Sequence, residues 1–162
     1  MTVPAPEVLL TMPARPEGVG VVRQALAGLA DALAFDAAVL SDMKMAVTEA
    51  CTNVVVHAYD EDAGMLEVEM LADEHGLTIV VRDHGAGIQP RPQRSEPPAL
   101  GLGLPLIAAL SDAFELKGSA GQGTEVRMTF AYSRAVDPAS ANPVTGNVGA
   151  DGRWDPDADE PA

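Results

Sequence analysis

Glu49-Ala50-Cys51-Thr52-Asn53-Val54-Val55-Val56-His57-Ala58-Tyr59 decides how the rest of the chain is read. Its apolar positions continue a stripe of Val39, Leu40, Met43, Val47, Ala50 and Val54, the spacing of a buried helical face. Glu49, Asn53 and His57 fall at i, i+4 and i+8, so an unbroken helix carries them on one side. A carboxylate one turn before a carboxamide joins two chemistries. The carboxylate can take a proton from a hydroxyl or a water. The carboxamide oxygen suits a hard cation such as Mg²⁺, which keeps most of its waters. An E-x-x-x-N pair by itself is also an ordinary solvated helix face; its extension to His57-Ala58-Tyr59 is what makes it specific.

Upstream, Val8-Leu9-Leu10-Thr11-Met12 reads as a strand closed by Pro13. Pro16 suits a first helical turn, and Val19, Val22, Leu26, Leu29 and Leu33 form the apolar stripe of a helix over residues 17–33. Gly20 and Gly28 weaken that helix without breaking it. A turn at Phe35-Asp36 leads into the second helix, residues 37–58. Downstream, a polar turn at 60–64 precedes an alternating strand over 65–71, and the more apolar run 77–83 is expected at the centre of the sheet. Residues 89–98 hold four prolines and no apolar period, a loop. A helix over 102–111 and two strands, 113–117 and 125–131, complete the domain, the strands joined by a hairpin at 118–124. This order predicts an α+β two-layer sandwich with helices on one face of a mixed β-sheet.

Composition agrees with one globular domain over residues 1–132. The chain has 162 residues, 47% hydrophobic and 21% charged, enough to bury a core. Residues 133–162 are rich in Pro, Asn, Gly, Ala and Asp and bury too little to offset their ordering entropy, so an acidic disordered tail is expected. Trp154 within it reads as an exposed tryptophan or as a short docking anchor. A formal charge of −14 argues against direct nucleic-acid or anionic-membrane binding. No apolar run reaches the length of a membrane span, and no signal-peptide plan opens the chain. The single cysteine, Cys51, cannot pair internally and fits a reducing cytosol. It reads as a small core residue rather than a nucleophile.

Two glycine-bearing stretches carry the remaining chemistry. Asp83 ends an apolar strand and enters Gly85-Ala86-Gly87. A carboxylate at a buried strand end needs a partner, which the exocyclic amine of adenine can be, and the glycines allow close approach to a flat base. A polar strand end with a glycine turn is the plainer reading of the same residues. Gly101-Leu102-Gly103-Leu104-Pro105 opens a helix, whose free N–H groups and dipole favour an anion. Pro105 and the lack of a directly preceding strand distinguish it from a dinucleotide fingerprint. Gly121-Gln122-Gly123-Thr124 is a hairpin turn.

In this order, the Glu49 helix, the Asp83 box and the Gly101 box resemble the ATP-binding (Bergerat) fold of the GHKL ATPases. The Glu49–Tyr59 wording is most similar to the anti-sigma-factor serine/threonine kinases, a bacterial family, and the likeness extends over residues 9–130. The resemblance implies that Asn53 ligates Mg²⁺ and Glu49 is the general base. It implies that Asp83 binds adenine, with Gly85 and Gly87, and that Gly101, Gly103 and Leu104 form the second glycine box. Thr124 would reach the adenine region, while His57 is expected to pack and hydrogen-bond. The short, proline-rich segment 89–100 corresponds to the family's ATP lid and departs most from it, offering only Arg91 and Arg94 as cations. Each arginine is either a phosphate contact or a solvated side chain.

The function implied is a cytoplasmic ATP- and Mg²⁺-dependent serine/threonine protein kinase that is also an anti-sigma factor. Its implied partners are a sigma factor and a small antagonist protein, phosphorylated on serine, and the family commonly forms homodimers. The alternative is a non-catalytic ATP-binding module that captures its partner stoichiometrically; the intact Glu49 favours the first reading and the short lid the second. A histidine-kinase catalytic domain fits less well, because no histidine precedes His57. A non-GHKL metal-dependent hydrolase fits less well still, because the three histidines and one cysteine lack metal-site spacing.

Overall fold

Alternating strands and two long amphipathic helices produce β1 (Val8–Pro13), α1 (Pro16–Ala32) and α2 (Ala37–Asn53), the last running into a π-helical turn (Val54–Ala58). The chain continues through β2 (Met65–Ala72), β3 (Gly76–Asp83), α3 (Gly103–Leu110), β4 (Ala113–Gly118) and β5 (Thr124–Ala131). The structure, a computed structural model, describes residues 7–59, 64–87 and 103–132. The turn at 60–63, the lid segment with Arg91 and Arg94, Gly101, and the tail 133–162 with Trp154 lie outside the described residues.

The sheet order is β1-β2-β3-β5-β4, so the most apolar strand, β3, is central as expected. The mixed sheet expected from the element order is corrected. Every pairing among the described strands is antiparallel. The α3 crossover does return β4 in the direction of β3, but β5 folds back between them and pairs antiparallel with both. A parallel relation therefore exists without a parallel ladder.

One sheet face carries the core. Leu66, Val68 and Met70 of β2, Leu77, Ile79 and Val81 of β3, and Val126, Met128 and Phe130 of β5 are buried, the alternation of a half-covered sheet. Onto them pack Val22, Leu26 and Ala30 of α1, Val39, Met43, Ala46, Val47, Ala50 and Cys51 of α2, and Ile107 of α3. Val19, Leu29, Leu33 and Leu40, expected in the helix stripes, are partly buried against the same core. No helix among the described residues is long and apolar enough to cross a membrane.

The opposite face is polar and held by charge. Arg82 contacts Glu125 at 2.7 Å, Glu69 at 2.9 Å and Glu67 at 3.0 Å, tying β2, β3 and β5 together across the sheet. The hydrogen bond from Arg82, ahead of smaller effects, holds the Glu125 carboxyl below its ordinary range. The stabilisation from this shift is complete at neutral pH, above the unfolded carboxylate's pKa, and is lost as pH falls through the lowered folded value.

The helix expected over residues 37–58 changes character at Val54. Three successive β-branched residues are a poor α-helical run, and the backbone takes up the wider π pattern there. His57, within that turn, is exposed while Asn53 is half-buried, and among the described residues the His57 side chain makes no hydrogen bond or ion pair.

Two stability outcomes follow from these contacts. Phe130→Ala empties a fully buried site and should cost about 3–5 kcal/mol in denaturant unfolding. Arg82→Met should cost about 1–2 kcal/mol at neutral pH, a partly buried network lying between surface and interior pairs. It leaves Glu67 and Glu69 without the guanidinium and Glu125 with Arg127 alone, at 3.7 Å, so the gap from wild type should shrink as pH falls through the lowered range of Glu125.

Candidate functional site

Asn53 is the last regular residue of α2, and Glu49 lies one turn earlier. Both are half-buried, because the adjoining residues Ala50 and Cys51 are drawn into the core and turn the pair toward the helix-layer side. Gly103, the first residue of α3, backs onto them. A side-chain carbon on Gly103 would stand 3.3 Å from Asn53 Nδ2, 3.4 Å from Asn53 Oδ1 and 3.6 Å from Glu49 Oε2. The start of α3, with its unpaired N–H groups, is thus brought directly to the carboxylate and carboxamide. Leu104 is partly buried and packs on the core, which anchors that helix start.

Asp83 ends β3 with 7% of its surface exposed and is the buried charged residue among those described. Its register partners are Leu66 on β2 and Thr124 on β5. Directly opposed residues share a sheet face, so Asp83 and the half-buried Thr124 are neighbours on the face that carries the helices. The N–H of Gly85 donates to Asp83 Oδ1 at 2.9 Å, which fixes one carboxylate oxygen; among the described residues no hydrogen bond is made to the other, which leaves it for a donor from outside the turn.

The glycine turn after Asp83 is seated against two other segments. Gly87 has φ of +70°, a conformation that favours glycine, and a Cβ there would meet the carbonyl oxygen of Ser119. The N–H of Gly121 donates to the Ala86 carbonyl at 2.8 Å, so the Asp83 turn and the β4–β5 hairpin touch. At the same strand ends a cleft of about 390 Å³ is lined by Asp83, Ser119, Gln122 and Thr124 together with Arg82, Lys117 and Glu125 from the charged face of the sheet.

The residues singled out from the sequence fall into two groups in the fold. Glu49, Asn53, Gly103 and Leu104 meet where α2 faces α3. Asp83, Gly85, Gly87 and Thr124 meet at the sheet end. Gly101 lies outside the described residues. Two contributors are given no site role by the sequence reading. Gly123 packs against the Asp83 carbonyl and has a positive φ of 78°, and Tyr59, quoted only as the end of a motif, reaches the glycine turn with its phenol. Cys51 is fully buried, and burial pushes its thiol up to about 12, in keeping with a core role.

These groups fit a nucleotide with a bound cation. No group of three or more His, Cys, Asp or Glu side chains capable of holding a metal occurs among the described residues. The donor set at α2 is one carboxylate and one carboxamide, so a cation there would take its other ligands from phosphate and water. That is the usual manner of Mg²⁺. The free carboxylate oxygen of Asp83 suits an amine donor on a base.

A family model described as Histidine kinase-like ATPase domain matches residues 12–130. Serine-protein kinase RsbW of Bacillus cereus and that of Bacillus anthracis are each 32% identical to this chain over 151 residues, covering 86% of it and 93% of theirs. The RsbU and RsbW domains of a Mycobacterium tuberculosis protein superpose with a TM-score of 0.59 at 23% identity, over 79% of this chain and 32% of that one. The histidine kinase domain of a blue-light-activated kinase from Erythrobacter litoralis gives 0.50 at 19% identity, over 75% of this chain and 62% of that one. At those identities the two structures bear on the fold alone. The family match covers most of the chain and the curated relatives align over nearly their full length, so the chain belongs to the histidine kinase-like ATPase domains, in the branch of the RsbW serine-protein kinases.

Proposed function

We propose that the chain is an ATP-dependent serine/threonine protein kinase acting as an anti-sigma factor. The observation that carries this reading is the juxtaposition of Glu49 and Asn53 with the start of α3, in a chain whose relatives are serine-protein kinases. ATP lies between the two ends of the site, its adenine amine on the free oxygen of Asp83 beside Thr124, its phosphates toward Gly103. Asn53, together with phosphate oxygens, would hold Mg²⁺, which when bound would offset the negative charge of the phosphates. Glu49 takes the proton from a serine hydroxyl of a small antagonist protein as that oxygen attacks the γ-phosphorus. The bond to the β-phosphate oxygen breaks, ADP leaves, and the phosphorylated antagonist dissociates. The freed protein then sequesters its sigma factor in the bacterial cytoplasm, as a homodimer. A chain with −14 formal charge suits basic partners and does not suit direct DNA contact.

The short, proline-rich lid with Arg91 and Arg94 as its cations favours the alternative, a module that binds ATP and captures its partner without transfer. Calorimetry with ATP, with and without Mg²⁺, followed by a radiolabelled transfer assay against candidate antagonists, separates the two. Binding with transfer supports the kinase; binding without transfer to a captured antagonist supports the module; absence of binding removes both. Asn53→Ala should abolish the Mg²⁺-dependent part of nucleotide binding, and unchanged ATP–Mg²⁺ affinity would remove the ligand role. Glu49→Ala should keep ATP affinity within a few fold while slowing transfer by about 100-fold or more; retained transfer would exclude Glu49 as the base.

A further inference from the structure

The segment that leaves α2 does more than end a helix. Three successive backbone donors of the Asp83 turn are all committed, and two of them go to this segment. The N–H of His84 donates to the Tyr59 hydroxyl at 2.9 Å, that of Gly85 to Asp83 Oδ1 at 2.9 Å, and that of Ala86 to the Ala58 carbonyl at 3.1 Å. The Tyr59 hydroxyl in turn donates to the Met65 carbonyl at 2.6 Å, so its single proton and an acceptor lone pair are both used. Its ring rests on Gly64, where a Cβ would strike it, and a Cβ on Gly85 would strike the Ala58 carbonyl. The carbonyl of Ala58, one of those left open at a helix end, is thereby capped by the glycine turn.

We propose that Tyr59 is a positioning residue for base selection, its phenol fastening the turn that orients the Asp83 carboxylate to the end of the helix bearing Glu49 and Asn53. The inference rests on the nucleotide reading above and deepens it. Asp83 can discriminate bases only while its free oxygen is aimed. It accepts a hydrogen bond from the amine of adenine and meets the carbonyl oxygen of guanine unfavourably, and discrimination of this kind depends on a polar group that cannot turn away. With the phenol removed, the His84 N–H and the Met65 carbonyl lose their partner and the turn is freer. The phosphate end, at Gly103, Glu49 and Asn53, is untouched.

The test is calorimetric titration of the full chain, wild type and Tyr59→Phe, with ATP–Mg²⁺, GTP–Mg²⁺ and tripolyphosphate–Mg²⁺, alongside amide exchange at His84. Tyr59→Phe should bind ATP about tenfold more weakly, the scale of one hydrogen bond's loss. GTP affinity should change less, narrowing the ATP-to-GTP ratio, tripolyphosphate affinity should hold, and the His84 amide should exchange faster. Gly85→Ala, which disturbs the same contact from the turn side, should narrow the ratio as well. An unchanged ratio in either variant, or an equal loss for all three ligands, overturns the positioning role, since general destabilisation weakens them alike. A wild type that binds tripolyphosphate and not ATP overturns the base-binding reading itself, and the inference with it.

Discussion

How closely α2 can lie on the sheet governs the rest of the molecule. Its inward face is built from Ala46, Val47, Ala50 and Cys51, all fully or almost fully buried, and small side chains let a helix backbone approach its neighbours. That approach fixes the rotation of the helix about its axis. With Ala50 and Cys51 turned inward, Glu49 and Asn53 have one direction left, toward the start of α3. The same close packing carries the end of α2 down to the level where β3 finishes, so that Ala58 meets the turn after Asp83. The two ends of the candidate site are thereby linked through one helix and its π turn.

Much of this was legible because it is local. The 3.6-residue and two-residue periods place every described strand, α1 and α3 within a residue of the observed bounds, while α2 ends at Asn53 rather than at 58; the Glu49–Asn53 spacing states the geometry of the pair outright. The sheet's pairing was not local. Whether β5 enters between β3 and β4 depends on contacts across more than forty residues, for which the element order has no sign, and an antiparallel sheet was read as mixed. The π turn was illegible for another reason. Val54-Val55-Val56 continues a helix pattern in sequence whether the backbone closes an α or a π turn, so the pattern has no sign of the wider turn. The role of Tyr59 left no trace in any pattern, because its partners are the backbone atoms of His84 and Met65, which every residue possesses.

The charge distribution separates the two sheet faces by task. On the open face Arg82 gathers three glutamates from neighbouring strands, and the fully enclosed Val80 lies among the cross-strand side chains of Glu69 and Arg127. Long charged side chains shield apolar surface there that none of the described helices covers. On the helix side the polar groups are few and directional. Asp83 is tied to its own turn, and Glu49 and Asn53 border a helix start. A strongly acidic chain can accept a polyanion on such terms, because backbone donors and a cation, rather than net charge, set the local field.

The enclosure of Cys51 has a use outside the chemistry of the site. The chain has one thiol, wholly shielded beneath α2 and kept protonated by its surroundings. Alkylating reagents and oxidants need a thiolate they can reach, so they act only on molecules in which α2 has lifted from the sheet. The rate of thiol labelling then counts opening events of the central helix. Without any engineered label, the protein carries its own gauge of how often the platform beneath Glu49 and Asn53 comes apart.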